Sequence, residues 1–121
     1  MKFAISSSAV LVALAFAGPA QAQTQVVSIG HSGPLSGPNA FAGKDNENGA
    51  RLAVEELNAK KIKVGGKTLE FKLNSEDDQC DAKSGVNVAQ KLVDGGVKFV
   101  MGPYCSGVTI PASRIYDAGG A

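Results

Sequence analysis

The sequence predicts an α/β fold built on a parallel sheet, with elements in the order β-α-β-α-β-α. Three observations predict it. Strand-like apolar runs occur three times, and each is followed by a segment with apolar residues at helical spacing. Strands that alternate with helices pair in parallel through right-handed crossovers. The loop Gly102 to Gly107 leaves the last strand and runs straight into a helix, the geometry of a ligand pocket at the carboxyl edge of such a sheet.

Taken in order, Val26-Val27-Ser28-Ile29-Gly30 is a β-branched run ending in glycine and reads as a strand. His31 to Gly43 is rich in Gly, Pro and Ser and reads as a loop. Lys44 to Lys60 carries Ala50, Ala53, Val54 and Leu57 on one helical face, with Glu55, Glu56 and Lys60 on the solvent side. Asp45 and Glu47 suit its positive N-terminal end. Val64 to Lys67 is a turn. Leu69, Phe71 and Leu73 then alternate with Glu70, Lys72 and Asn74, the period of a half-buried strand. Asp81 is a candidate N-cap for a helix that buries Val86, Ala89, Leu92 and Val93 and stops at Gly95-Gly96. Val97 to Met101 is the third strand. Val108 to Ala118 is the third helix, with Pro111 in its first turn, where the missing N–H costs little, and Gly119-Gly120 as its stop.

The N-terminus reads as a secretory signal over residues 1–22. Lys2 supplies the positive end, Ala9 to Ala17 a short apolar core, and Ala20-Gln21-Ala22 a small-x-small cleavage site, so the mature chain is expected to start at Gln23. The apolar core is well short of the ~20 residues that a membrane-spanning helix needs. The expectation is a periplasmic protein with no membrane insertion after cleavage.

Composition narrows the partners. Of 12 basic and 11 acidic side chains, only Lys2 lies in the signal, so the mature chain carries no net charge. That balance, without a basic stripe, gives no case for nucleic acid. Two cysteines in an exported chain suggest a disulfide, because the compartment is oxidising. Closing Cys80 to Cys105 would make a loop of about 26 residues, worth roughly 3 kcal/mol in the loop-entropy account. Two separate buried thiols are the alternative. No Cys-x-x-Cys spacing marks a redox pair.

Several motifs fail on inspection. Gly65-Gly66-Lys67-Thr68 lacks the upstream glycine of a phosphate-binding loop and precedes a strand instead of a helix. Gly30-His31-Ser32-Gly33 does not match the dinucleotide fingerprint. No flavin, nicotinamide or other cofactor is expected. Glu76, Asp77, Asp78 and Asp81 could form a hard-cation site, but they read better as solvated residues capping the next helix. His31 is the only histidine, no Gly-x-Ser-x-Gly elbow accompanies it, and it reads as a loop residue. No metal site and no enzyme activity follow. In the loop Gly102-Pro103-Tyr104-Cys105-Ser106-Gly107, N–H groups at a helix start and the Ser106 hydroxyl suit a carboxylate or another small anion. A plain strand-to-helix turn with Ser106 as its cap fits the residues equally well.

Five segments carry a resemblance. They are Gly33-Pro34-Leu35-Ser36-Gly37-Pro38, Asn48 to Ala53 with Glu55 to Ala59, Asp77-Asp78-Gln79-Cys80-Asp81, Ala89 to Val93, and Gly102 to Ser106 with Pro111 to Tyr116. Over essentially all of residues 23–121 the chain resembles the exported substrate-binding proteins of branched-chain amino acid ABC transporters, the leucine/isoleucine/valine-binding group. The resemblance implies a two-lobed type I periplasmic-binding fold, of which residues 23–121 would be a truncated N-terminal part of the first lobe. It implies a Cys80–Cys105 disulfide near the site. It implies that Ser106 holds the ligand's α-carboxylate and that Tyr104 lines the same pocket. The family often places a bulky residue just before the glycine matching Gly43. Here Ala42 stands there with Phe41 beside it, a departure that bears on side-chain selectivity.

The implied function is capture of an amino acid, branched-chain or otherwise aliphatic, for the membrane permease of an ABC transporter. A sensor of the same fold for small amides or carboxylates, or a nonfunctional remnant, are the competing readings.

Overall fold

The computed structural model describes residues 23–121. The expected signal, residues 1–22, lies outside the described residues. The element order is β1 (Thr24–Gly33), α1 (Ala40–Ala59), β2 (Lys63–Val64), β3 (Lys67–Asp77), α2 (Ala82–Asp94), β4 (Phe99–Met101) and α3 (Ser106–Gly119). The strands form one sheet in the order β2-β3-β1-β4. No helix among the described residues is long and apolar enough to cross a membrane.

The three expected strands pair in parallel. β1 runs beside β3 along its whole length, from Thr24 opposite Thr68 to Gly33 opposite Asp77, and beside β4 from Ile29 to His31. The sheet is nevertheless mixed. Lys63 and Val64 fold back antiparallel on Thr68 and Lys67, making a hairpin around Gly65-Gly66. A two-residue strand is too short to show a period, so the turn was legible and its strand was not. Beyond the hairpin the outer edge of β3 is closed by a side chain. Asn58 accepts from the Phe71 N–H and donates to the Phe71 carbonyl, at 2.8 and 2.9 Å.

Other boundaries shift for physical reasons. β1 continues through His31, Ser32 and Gly33 because β3 offers it partners there, so His31 is a buried strand residue and not a loop residue. α1 begins at Ala40, inside the expected loop. α3 begins at Ser106, which puts Pro111 in its second turn, not its first. The Thr109 hydroxyl lies 3.1 Å from the Cys105 carbonyl and 3.2 Å from that of Pro103, supporting the start of that helix.

Asp81 caps α2 as expected, accepting from the Ser84 N–H at 2.8 Å. The buried stripe of α2 is rotated toward Gly85 and Val88, with Val86 only half-buried. Gly85 has no side chain where Val108 of α3 presses in, and that approach decides which face turns inward. The core lies between α2, α3 and one face of the sheet: Val88, Ala89, Leu92, Val97, Ala112 and Tyr116, with Val93, Val100 and Ile115 packed around them. α1 covers the other face.

Candidate functional site at the carboxyl edge of the sheet

β1, β3 and β4 run in parallel, so their carboxyl ends and following loops share one edge. All three helices start from it, α2 following β3 through the turn at Asp78 to Asp81. The β1 loop leads into α1, and the β4 loop leads into α3. Phe41 and Ala42, expected in a loop, stand in the first turn of α1, with Phe41 77% exposed. Tyr104 stands in the loop after β4 and is 52% exposed. Ser106 is the first residue of α3 and is exposed. The fold therefore brings the four expected residues to one edge as two pairs, each on its own helix start.

The α3 start is arranged to leave donors free. Its N-cap is Cys105, whose side chain makes no capping hydrogen bond. Val108 and Thr109 return their N–H groups to the Cys105 carbonyl, at 2.9 and 3.0 Å. The N–H groups of Ser106 and Gly107 are the helix-end donors that a helix cannot satisfy internally. With the Ser106 hydroxyl and the positive end of the helix, they suit a carboxylate.

Cys80 and Cys105 are joined by a disulfide with Cα atoms 5.5 Å apart. The bridge ties the turn after β3 to the loop after β4. At Gly102, φ is +97° and a side chain would run into the Ser32 carbonyl, so only glycine lets β4's loop pass this close to β1. Gly43 does the same for α1, which packs against the Pro34 carbonyl.

The acidic cluster is structural. Asp81 is the cap already described. Glu76 pairs with Lys91 on the surface at 2.8 Å. Asp77 accepts from the Leu35 N–H at 2.8 Å, the Ser36 hydroxyl at 2.6 Å and the Gln79 N–H at 2.9 Å. Partial burial raises the Asp77 pKa, but these bonds outweigh it and hold the carboxyl below its ordinary value. Asp78 corrects the solvated reading, because it is fully buried. It accepts from the Ser32 hydroxyl at 2.8 Å and the Cys80 N–H at 2.9 Å. No grouping of side chains suited to a metal ion occurs among the described residues.

Between α1 and the ends of β1 and β4 lies an open cleft of about 430 Å³. It is lined by His31, Ser32, Asp45, Asn46, Gly49, Met101 and Gly102, none of them singled out as site residues from the sequence. His31 is 2% exposed, and its Nδ1 is 2.8 Å from the Ser75 hydroxyl. Burial lowers its pKa below 6.5, while Glu47 and Asp78 partly oppose the shift. Burial pushes the Tyr116 hydroxyl up, the Ser32 hydroxyl beside it pulls down, and Asp78 adds to the rise. Strand parity could have flagged His31, since it follows Val27 and Ile29 on one face. Nothing local marks Ser32 or Tyr116.

The family model for periplasmic binding proteins matches residues 26–120. The chain belongs to that family. A Leu/Ile/Val-binding protein homologue of Brucella abortus is 40% identical over 120 residues, which is 98% of this chain and 30% of the relative. The Leu/Ile/Val-binding protein of Escherichia coli is 42% identical over 106 residues, covering 88% of this chain and 28% of that one. The chain thus spans under a third of the length of these curated relatives. Among solved structures, a branched-chain amino acid transporter substrate-binding protein from Streptococcus pneumoniae, in complex with isoleucine, aligns at a TM-score of 0.72 and 30% identity. That alignment covers 80% of this chain and 27% of the other. A substrate-binding protein from Desulfitobacterium hafniense in complex with Leu aligns at 0.62 and 32% identity, over 78% of this chain and 27% of that one. These neighbours carry the periplasmic binding protein fold that the resemblance implied.

Proposed function

We propose that this chain supplies part of the ligand-capturing site of an exported amino-acid-binding protein that serves the permease of an ABC transporter. The ligand is a branched-chain or other aliphatic amino acid, and the protein has no enzyme activity. One observation carries the reading: the uncapped start of α3, with Ser106 exposed at the carboxyl edge of the parallel strands. The Leu/Ile/Val-binding relatives and the solved neighbours that hold Ile and Leu support the same ligand class.

In this reading Ser106 and the N–H groups beside it hold the α-carboxylate. Tyr104 lines the pocket, and Phe41 and Ala42 approach from α1. Closing the two lobes of the whole protein over the ligand presents it to the permease. Residues 1–22 act as a cleaved export signal that delivers the protein to the periplasm. Sequencing the N-terminus of the exported protein tests that step: the first residue is Gln23, and a chain that still starts at Met1 refutes it.

Calorimetric titration of the full-length protein with leucine, isoleucine and valine tests the function. Binding to at least one of them is expected, and Ser106→Ala weakens it by about 1–3 kcal/mol, the loss of a hydrogen bond to a charged group. Unchanged affinity in Ser106→Ala overturns the role of Ser106. Binding of small amides in place of amino acids favours a sensor of the same fold.

A further inference from the structure

Asp78 is fully buried, and each of its carboxyl oxygens has a partner on a different segment. Oδ2 accepts from Ser32 in β1. Oδ1 accepts from the N–H of Cys80, and the Asp78 N–H itself donates to the Gly33 carbonyl at 3.0 Å. The turn these bonds hold is strained. Gln79 and Cys80 both have φ of +55°, a left-handed conformation that non-glycine residues rarely adopt and that persists only where surroundings impose it. Cys80 is bonded to Cys105, and Cys105 is the residue before Ser106. From the same helix, Tyr116 sends its buried hydroxyl back beside Ser32 and Asp78. The chain of contacts runs from β1 through Asp78 and Cys80 to the start of α3.

We propose that Asp78 is the positioning residue for the anion-binding start of α3: it sets where Ser106 stands without touching ligand. The proposal rests on the reading of Ser106 given above. Its neighbour Asp77 has a separate task. Outside its own turn, the Asp77 carboxylate bonds only to Leu35 and Ser36, in the loop that leads to α1. The two carboxyl groups, adjacent in sequence, therefore anchor different helix starts.

That division makes the test specific. The Val108 and Thr109 amides, bonded to Cys105, report the start of α3, and the Ala42 and Gly43 amides, bonded to Asn39, report the start of α1. Amide exchange of the full-length protein is followed by NMR. In Asp78→Asn, the Val108 and Thr109 amides exchange about tenfold faster while Ala42 and Gly43 stay within about twofold of wild type. Asp77→Asn gives the reverse. The proposal is overturned if Asp78→Asn leaves Val108 and Thr109 unchanged, or speeds both pairs equally. Should Asp78→Asn fail to fold, Ser32→Ala, which removes one of the two bonds, gives the same pattern at about threefold, and its absence overturns the proposal as well.

Ligand titration adds a readout that general destabilisation does not move. Asp78→Asn lowers affinity for leucine about tenfold and for leucinamide, which lacks the carboxylate, by less than about twofold. Equal losses for both overturn the proposal. A wild-type protein that binds neither compound refutes the proposed function alone, and amide exchange then decides the role of Asp78.

Discussion

On one face of the sheet, Leu92 of α2 and Val97 pack over Gly30 and are 3% and 1% exposed, with α3 packed against α2. On the other, α1 alone covers Val27, Ile29 and Phe71, and beside it runs an apolar groove of about 360 Å³. Phe99 and Met101 at the rim of that groove are 65% and 37% exposed. The two faces also differ at the carboxyl edge. Ser32, Asp78 and Tyr116 come together on the α2–α3 side, whereas the α1 side brings His31. The α3 start is therefore anchored from the filled face. Its position is fixed by close-packed groups, while α1 rests on a looser contact.

The packing difference shows most strongly in paired truncations. Leu92→Ala costs about 3 kcal/mol in urea denaturation, because a cavity opens in a core that cannot collapse. The matched change on the other face, half-buried Leu57→Ala, costs about 1 kcal/mol. Equal costs would erase the contrast between the faces.

Next is the covalent anchor. Replacing both Cys80 and Cys105 by alanine costs about 3 kcal/mol by loop entropy. The loss of order concentrates in residues 102–108 and spares the α1 start. Amide exchange that rises evenly over both helix starts would break that contrast.

A smaller effect sharpens the polar end of the α1 side. His31 has its pKa lowered from 6.5 by burial. The unfolded chain therefore takes up the proton first as pH falls. The stability His31 contributes is whole above pH 6.5 and is lost on acidification below it. Melting temperature followed from pH 8 to pH 5 should fall less in His31→Gln than in wild type. Parallel curves would exclude His31 as the source. Asp77, lowered in the opposite charge sense, acts only in the more acid range below its ordinary carboxylate value.

The smallest effect is a gain. Gln79 is exposed and left-handed, so Gln79→Gly relieves backbone strain and raises stability by about 0.5–1 kcal/mol after glycine's entropic cost. A loss of stability would mean the turn is held by the Gln79 side chain instead of the two aspartates.

Much of the fold was legible because its determinants are local. Leu69, Phe71 and Leu73 announce a strand by their period, Asp81 announces a cap, and Gly95-Gly96 and Gly119-Gly120 announce helix ends. What was illegible depends on contacts distant in sequence. His31 to Gly33 look like loop residues until β3 lies beside them. Ala40 to Gly43 hide the first turn of α1 behind a Gly/Pro-rich composition. The candidate site was visible at Ser106 and Tyr104, where a strand, a small-residue loop and a helix follow one another. The supports beneath it were not. Asp78 looks like any surface aspartate, and only the pairing of β1 with β3 carries it under Ser32 and out of water.

The hairpin that made the sheet mixed has a practical consequence. Gly65 and Gly66 sit at its tip with positive φ and open space around them. They lie at the amino end of β3, the full strand of 11 residues, roughly 30 Å from its carboxyl end. Exposed tips of this kind accept inserted residues readily. A fluorophore or affinity tag placed between those glycines would ride on the sheet and stay clear of the candidate site, giving a fixed reference point from which motion of the opposite edge can be measured.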